Sequence, residues 1–227
     1  MSLILIIIVI VVYIYFKNKS KGGTEDLKMT NSNLKKKKIY KNKAVILDTE
    51  TTGLSTKDEF IEITALLVSF DLQGHLYLID KYTGQREPGV KISDGAKKVH
   101  GISLKELKNK DIDKEKLISI FSQSSFVVAH NADFDRKFII KEIREADDKI
   151  WLCSMRDIKW KRRGFASKGL ENLLNDHGFE IQQKHRSESD AKALFKLLNS
   201  RAQKDLTYFM KLLKNNDIDL NLIDFEE

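Results

Sequence analysis

The chain opens on an uninterrupted apolar run, Leu3 to Phe16, and then turns abruptly polar at Lys17, Lys19 and Lys21. Fourteen consecutive apolar positions lack the polar stripe of a helix packed on a soluble domain, so residues 1–16 read as a transmembrane anchor helix. Sixteen residues at about 1.5 Å each reach roughly 24 Å, short of a roughly 30 Å hydrocarbon core, so spanning calls for bilayer thinning or snorkelling. The following lysines, Lys35 to Lys38 among them, predict by the positive-inside rule a single-pass protein of the cell membrane with everything after the helix on the cytoplasmic side. No basic start or small-residue cleavage site marks a signal peptide. Residues 17–43 read as a Lys-rich flexible linker. Two readings of its lysines stand side by side: contact with acidic lipid or a nucleic-acid backbone, or a solvated charge run.

From position 44 the pattern changes to short apolar runs of strand length. Ala44 to Leu47 ends in Asp48, Thr49 and Glu50, a buried strand that stops at a candidate site. Phe60 to Phe70 and His75 to Tyr82, joined by a tight connection, predict an antiparallel pair. Phe126 to Ala129 and Ile150 to Cys153 predict two further strands, and Phe134, Phe138, Ile139 and Ile143 have helical spacing between them. Helices are expected over about 168–177, 188–200 and 202–214. The order β-β-β-α-β-α-β-α predicts an α/β domain, a mixed five-stranded sheet flanked by helices, over residues 44–215, with an acidic tail at 216–227.

Charge then narrows the functional classes. The formal net charge is +7, yet residues 1–43 hold ten lysines against Glu25 and Asp26, while the remaining 184 residues balance 30 Lys and Arg against 31 acids. The positive sign belongs to the leader and gives no argument for a basic nucleic-acid face on the domain. A single cysteine, Cys153, excludes an intramolecular disulfide and a cysteine-based zinc site.

The chemistry lies in acids among core positions. Asp48 and Glu50 are two apart on one strand, so both carboxylates point to the same face and can share a cation. Asp190 falls on the apolar stripe of Leu194 and Leu197, and Asp135 lies between Phe134 and Phe138. Four carboxylates from three distant segments make a hard-oxygen pocket suited to Mg²⁺ or Mn²⁺. His185, about 140° around a helix from Asp190, projects from the preceding loop, where an imidazole beside a metal-bound carboxylate serves as a general base.

Three segments carry a resemblance: L-D-T-E-T-T-G-L at Leu47 to Leu54, A-H-N-A-D-F-D at Ala129 to Asp135, and H-R-S-E-S-D at His185 to Asp190. In this order they resemble the exonuclease motifs of the DEDDh family, which includes the proofreading epsilon subunit of bacterial DNA polymerase III, and the likeness spans about residues 44–200. It implies an RNase H-like fold and a two-metal 3′→5′ exonuclease, acting on single-stranded or frayed DNA in preference to RNA and releasing nucleoside monophosphates. By that resemblance Asp48, Glu50, Asp135 and Asp190 are the metal-binding acids for two divalent ions, Mg²⁺ or Mn²⁺, His185 is the general base, and Asp133 is the neighbouring acid outside the pattern. Thr51, Thr52, Gly53 and Leu54 are implied contacts to the terminal nucleotide, and His100, within Val99 to Ile102, another at the substrate's edge.

Several readings stay open. His130 and Asn131 shape their loop and cap the next helix. Ser187, where the family often has a small apolar residue, caps its helix. Lys159, Lys161, Arg162 and Arg163 around Trp160 guide a strand or form a solvated loop. Residues 201–227 leave little room for a polymerase-docking extension, which counts against a stable proofreading role. An exoribonuclease of the same family, a non-catalytic nucleic-acid-binding module and a membrane scaffold are the competing functional classes.

Overall fold

In Lys43–Thr51 the side chains alternate between two helical layers, and this strand organises the molecule. The computed structural model describes residues 39–180, 185–203 and 205–225, which lie in a compact unit running from Ile39 to Glu227. In chain order its elements are β1 (Tyr40–Lys41), β2 (Lys43–Thr51), β3 (Phe60–Phe70), β4 (Leu76–Gln85), α1 (Asp94–His100), α2 (Leu104–Leu107) and α3 (Lys114–Gln123). Then come β5 (Phe126–Ala129), α4 (Ala132–Glu142), β6 (Ile150–Cys153), α5 (Ser154–Asp157), α6 (Leu170–Asp176) and α7 (Ser187–Asn199). The last are β7 (Arg201–Gln203), β8 (Leu206–Thr207), α8 (Tyr208–Asn215) and β9 (Ile223–Asp224). Single 3₁₀ turns occupy Arg144–Ala146, Trp160–Arg163 and Leu220–Leu222.

The main sheet has the order β4-β3-β2-β5-β6. β2, β3 and β4 form an antiparallel meander, whereas β5 and β6 continue parallel to β2. This is the mixed five-stranded, RNase H-like α/β arrangement. Ala44 and Ile46 join Leu66, Val68, Leu194, Leu197 and Leu198 in one core, and Val45 and Leu47 join Leu117, Phe121, Phe138 and Ile139 in the other. Each fully buried aliphatic side chain of this kind contributes about 1.5–3 kcal/mol, so the two packed faces fix the register of β2. Leu47 pairs with Ala129, and Ala129 with Cys153, so the carboxyl ends of β2, β5 and β6 meet at one sheet edge.

The segment expected as one helix over 202–214 is divided. Arg201 and Thr207 pair in a small antiparallel ribbon, and Thr207 then caps α8 by accepting the Met210 N–H at 3.2 Å. Residues beyond 215, expected as an acidic tail, include β9, whose Ile223 is buried and pairs in parallel with Tyr40 of β1.

The membrane expectation is corrected. Among the described residues no helix is long and apolar enough to cross a membrane. The segment on which the expectation rested, residues 1–16, lies outside the described residues, as does most of the expected linker at 17–43, and its roughly 24 Å reach fell short of the bilayer core from the start. The transmembrane helix, the membrane as partner and the cell-membrane location are therefore withdrawn.

Candidate active site

The parity of β2 sorts its last residues. Asp48 and Glu50 continue the face of Ala44 and Ile46 and look toward α7, while Thr49 and Thr51 continue the face of Val45 and Leu47. α7 brings Asp190 over the first face. One carboxylate oxygen from each of Asp48, Glu50 and Asp190 lies within 4.8 Å of the others. Asp135, in the first turn of α4, reaches the same strand end from the opposite layer, where its Oδ1 accepts the Thr49 hydroxyl at 2.8 Å. Asp135 is buried, and the other three acids are half-buried.

Crowding these acids raises their proton affinity. Burial first, then the charge of Asp135 and Glu50, pushes Asp48 well above the usual carboxylate range. Burial, with Asp190 and Glu62 nearby, pushes Glu50 up to about 8, and burial pushes Asp135 up to about 7. Asp190 is also raised by burial, against the opposing charge of His185 and a backbone hydrogen bond from it. A cluster of carboxylates that resist ionisation together has the charge and the hard-oxygen donors that fit a divalent cation.

His185 is exposed on the loop entering α7, with its backbone in the left-handed region at φ 56°. Such a conformation at a residue other than glycine costs about 1–2 kcal/mol, so the surroundings must hold it. They do so through a residue that sequence reasoning missed. Glu62, on β3 opposite Glu50, is buried and accepts from Arg186 Nη2 at 2.6 Å, the Ser187 N–H at 2.8 Å and Gln85 Nε2 at 2.7 Å. Although burial opposes ionisation, these donors hold Glu62 below its ordinary value. Ser187 Oγ donates to Glu62 and lies 2.9 Å from Thr64 Oγ1, so this hydroxyl docks the helix on the sheet; it does not cap it. The signal was available: Glu62 stands between Ile61 and Ile63 in a strand buried on both sides, where an acid needs a partner.

The Thr51 to Leu54 turn is tied down on all sides. A Cβ at Gly53 would stand 2.7 Å from the Asp58 carboxylate and displace it from its bonds, since that carboxylate accepts from Thr52 Oγ1 at 2.9 Å and from the Ser55 N–H at 2.8 Å. Thr51 Oγ1 donates to the Gly53 carbonyl at 2.7 Å. His100 is buried at the end of α1; Nε2 lies 3.2 Å from the Thr51 carbonyl and Nδ1 accepts the Ile102 N–H at 3.0 Å. Its burial lowers its proton affinity, and the neutral ring, carrying its proton on Nε2, braces the turn from behind. From α4, Lys137 and Lys141 donate to the Leu54 and Thr56 carbonyls, interactions that no sequence pattern flagged. Leu54 itself is 79% exposed, an apolar tip beside the acids.

His130 is held neutral by burial, its pKa lowered to about 4, with Nδ1 2.9 Å from Ser154 Oγ and Nε2 2.9 Å from the Lys168 carbonyl. Asn131 precedes α4 in a left-handed conformation and makes no side-chain cap, contrary to expectation. Trp160 is buried and its indole donates to the Ser154 carbonyl, while Arg163 turns inward to the Ala202 carbonyl and the Tyr208 ring. His75 sits in an exposed turn with Asp71, and His177 stacks against Phe165. Asp133 pairs with Arg156, away from the acids that gather at β2.

Comparison with known proteins places this geometry. The model of the RNase_T family, described as an exonuclease family, matches residues 45–198. The DNA polymerase III subunit epsilon of Buchnera aphidicola is 34% identical over 163 residues, which cover 66% of this chain and 66% of that subunit. A PolC-type DNA polymerase III of Thermotoga maritima is 34% identical over 163 residues, covering 65% of this chain and 11% of the polymerase. The chain thus spans about two thirds of the first relative and about a tenth of the second. Among solved structures, E. coli exonuclease I in complex with a dT13 oligonucleotide superposes with a TM-score of 0.58 at 16% identity, over 76% of this chain and 41% of that one, a likeness of fold.

Proposed function

Because this chain belongs to the RNase_T exonuclease family, we propose that it is a metal-dependent 3′→5′ exonuclease that removes nucleoside monophosphates from single-stranded or frayed 3′ ends, DNA in preference to RNA. The observation that carries the reading is the convergence of Asp48, Glu50 and Asp190 within 4.8 Å, at the end of the strand that Asp135 closes from the other layer. Two divalent ions, Mg²⁺ or Mn²⁺, would be held by these four acids, and when bound they supply charge neutralisation and polarisation of the scissile phosphate.

The protein's own groups do the rest. His185, beside Asp190 at the entry to α7, takes the proton of the attacking water. Water oxygen bonds to phosphorus, the bond to the 3′ oxygen of the preceding nucleotide breaks, and a 5′-monophosphate leaves a strand shortened by one residue. The braced Thr51 to Leu54 turn seats the terminal nucleotide, with Leu54 against its base. The preference for DNA is supported by the DNA polymerase relatives and by the oligodeoxythymidine bound to exonuclease I.

The test incubates the full chain with 3′- and 5′-labelled single strands of DNA and RNA, with Mg²⁺, Mn²⁺ or EDTA. Metal-dependent release of mononucleotides from the 3′ end is expected, and His185→Ala should lower turnover by about 10²–10⁴-fold while metal binding persists. Shortening from the 5′ end, or full turnover in the variant, would remove the assignment, and faster cleavage of RNA would reverse the sugar preference.

A further inference from the structure

At the same sheet edge as the acids, two strands away, the chain leaving β6 builds a second feature that the chemistry above does not use. Met155 and Ile158 floor a groove of about 320 Å³, with Lys159, Lys161, Arg162 and Lys168 along its walls. A volume in this range accepts a nucleotide-sized group. All four cations are exposed, and no carboxylate of the described residues pairs with them. Asp133 of α4 and Asp157 of α5 are both engaged by Arg156, which also lines the groove. This is an unusual concentration for a domain whose charges otherwise cancel.

Its position follows from the register. Leu47, Ala129 and Cys153 are aligned across β2, β5 and β6, so the groove begins about 10 Å, two strand spacings, from the end of β2 where Asp48 lies. His130, between the two, ties Lys168 to the loop that starts α4, which fixes one wall of the groove relative to Asp135. The remaining cation of the loop, Arg163, is turned inward, so the wall is a selection of side chains and not merely a basic segment.

We propose that this groove is a phosphate track for the single strand upstream of the 3′ terminus, its cations on the sugar–phosphate backbone and its apolar floor against a base or sugar. The inference rests on the exonuclease reading and adds to it the surface that holds the part of the substrate not being cut. Cations on a phosphate backbone release its counterions and are blind to sequence, so they raise affinity for long strands and make it salt-dependent.

The experiment compares the full chain with its K159Q/K161Q/R162Q/K168Q variant on two substrates, a 3′-ended single-stranded DNA of about 20 nucleotides and the p-nitrophenyl ester of thymidine 5′-monophosphate, which has no upstream phosphates. Binding of the labelled strand is followed separately by fluorescence anisotropy in EDTA, where nothing is cut. In the variant the Kd and KM for the strand should rise on the order of tenfold, and the slope of log Kd against log salt should shrink by about 0.7 for each phosphate that the variant leaves unneutralised, with ester hydrolysis unchanged. Unchanged strand affinity and salt slope, with both substrates still cut, would overturn the track and leave the exonuclease reading intact. An equal loss on both substrates would also overturn it, by making the groove a support of the fold. If the unmodified chain cuts neither substrate, the exonuclease reading falls, and the track falls with it.

Discussion

Asp48, Glu50, Asp135 and Asp190 are poorly placed as free carboxylates, and that discomfort has measurable consequences. In the unfolded chain such groups ionise near 4; in the fold Glu50 is pushed to about 8 and Asp135 to about 7. Between these limits the folded state binds more protons than the unfolded one, so the metal-free protein loses stability as pH rises through that window. The urea midpoint in EDTA should fall between about pH 5 and about pH 8, and saturating Mg²⁺ should flatten the fall by neutralising the carboxylates. Asp48→Asn or Asp190→Asn should reduce cleavage to background and weaken metal binding in calorimetry, whereas near-normal turnover in either would displace the site. The acids were legible because three motifs and the period of a strand agree on them. Glu62 was overlooked: its place between Ile61 and Ile63 called for a partner, but the partners themselves, Arg186 and Ser187, lie more than 120 residues away.

At the scale of the element, the entry to α7 depends on a strand it does not belong to. Glu62 gathers Arg186, Ser187 and Gln85, and His185 directly precedes Arg186 in its left-handed turn. Glu62→Ala should leave the Ser187 N–H without its acceptor and the Arg186 guanidinium with only Glu106 at 3.4 Å, and destabilise the fold by about 2–4 kcal/mol in urea unfolding. Turnover should fall by more than the drop in folded fraction explains, because His185, the proposed base, loses its seat. Turnover that tracks only the folded fraction would restrict Glu62 to stability. The helices after position 168 were legible from their apolar stripes, with ends shifted by a few residues. The ribbon of β7 and β8 was not, because Arg201–Gln203 has no alternation of its own and is defined only by the partner it finds in Leu206–Thr207.

At the scale of the molecule, net charge gave no sign of a basic face on the domain, and only the run Lys159, Lys161, Arg162 and Arg163 hinted at one. A near-neutral domain hides a basic groove because residues from 159 and 168 become neighbours only when folded. The mixed sheet was readable from the order of its strands, while the bracing of its active edge by Lys137, Lys141 and His100 arises from interactions between layers. The apolar leader was over-read: periodicity separates an amphipathic helix from a uniformly apolar one but does not supply missing length.

The pairing of Tyr40 with Ile223 bears on how this domain travels among larger proteins. Neighbouring strands lie about 4.8 Å apart, so the first and last strands of the unit start and finish side by side. From Lys43, β2 then carries the chain roughly 17 Å to Asp48 and roughly 23 Å to Glu50. The unit is thus a plug-in cassette: a host polypeptide can enter and leave through one doorway while the cutting edge faces away from it. A circular permutant that joins residue 225 to residue 39 through a short glycine-serine bridge and opens the chain at Leu72 should fold with an unchanged circular-dichroism spectrum and keep its nuclease activity. Loss of both would mean that the terminal strands are held together by more than their proximity.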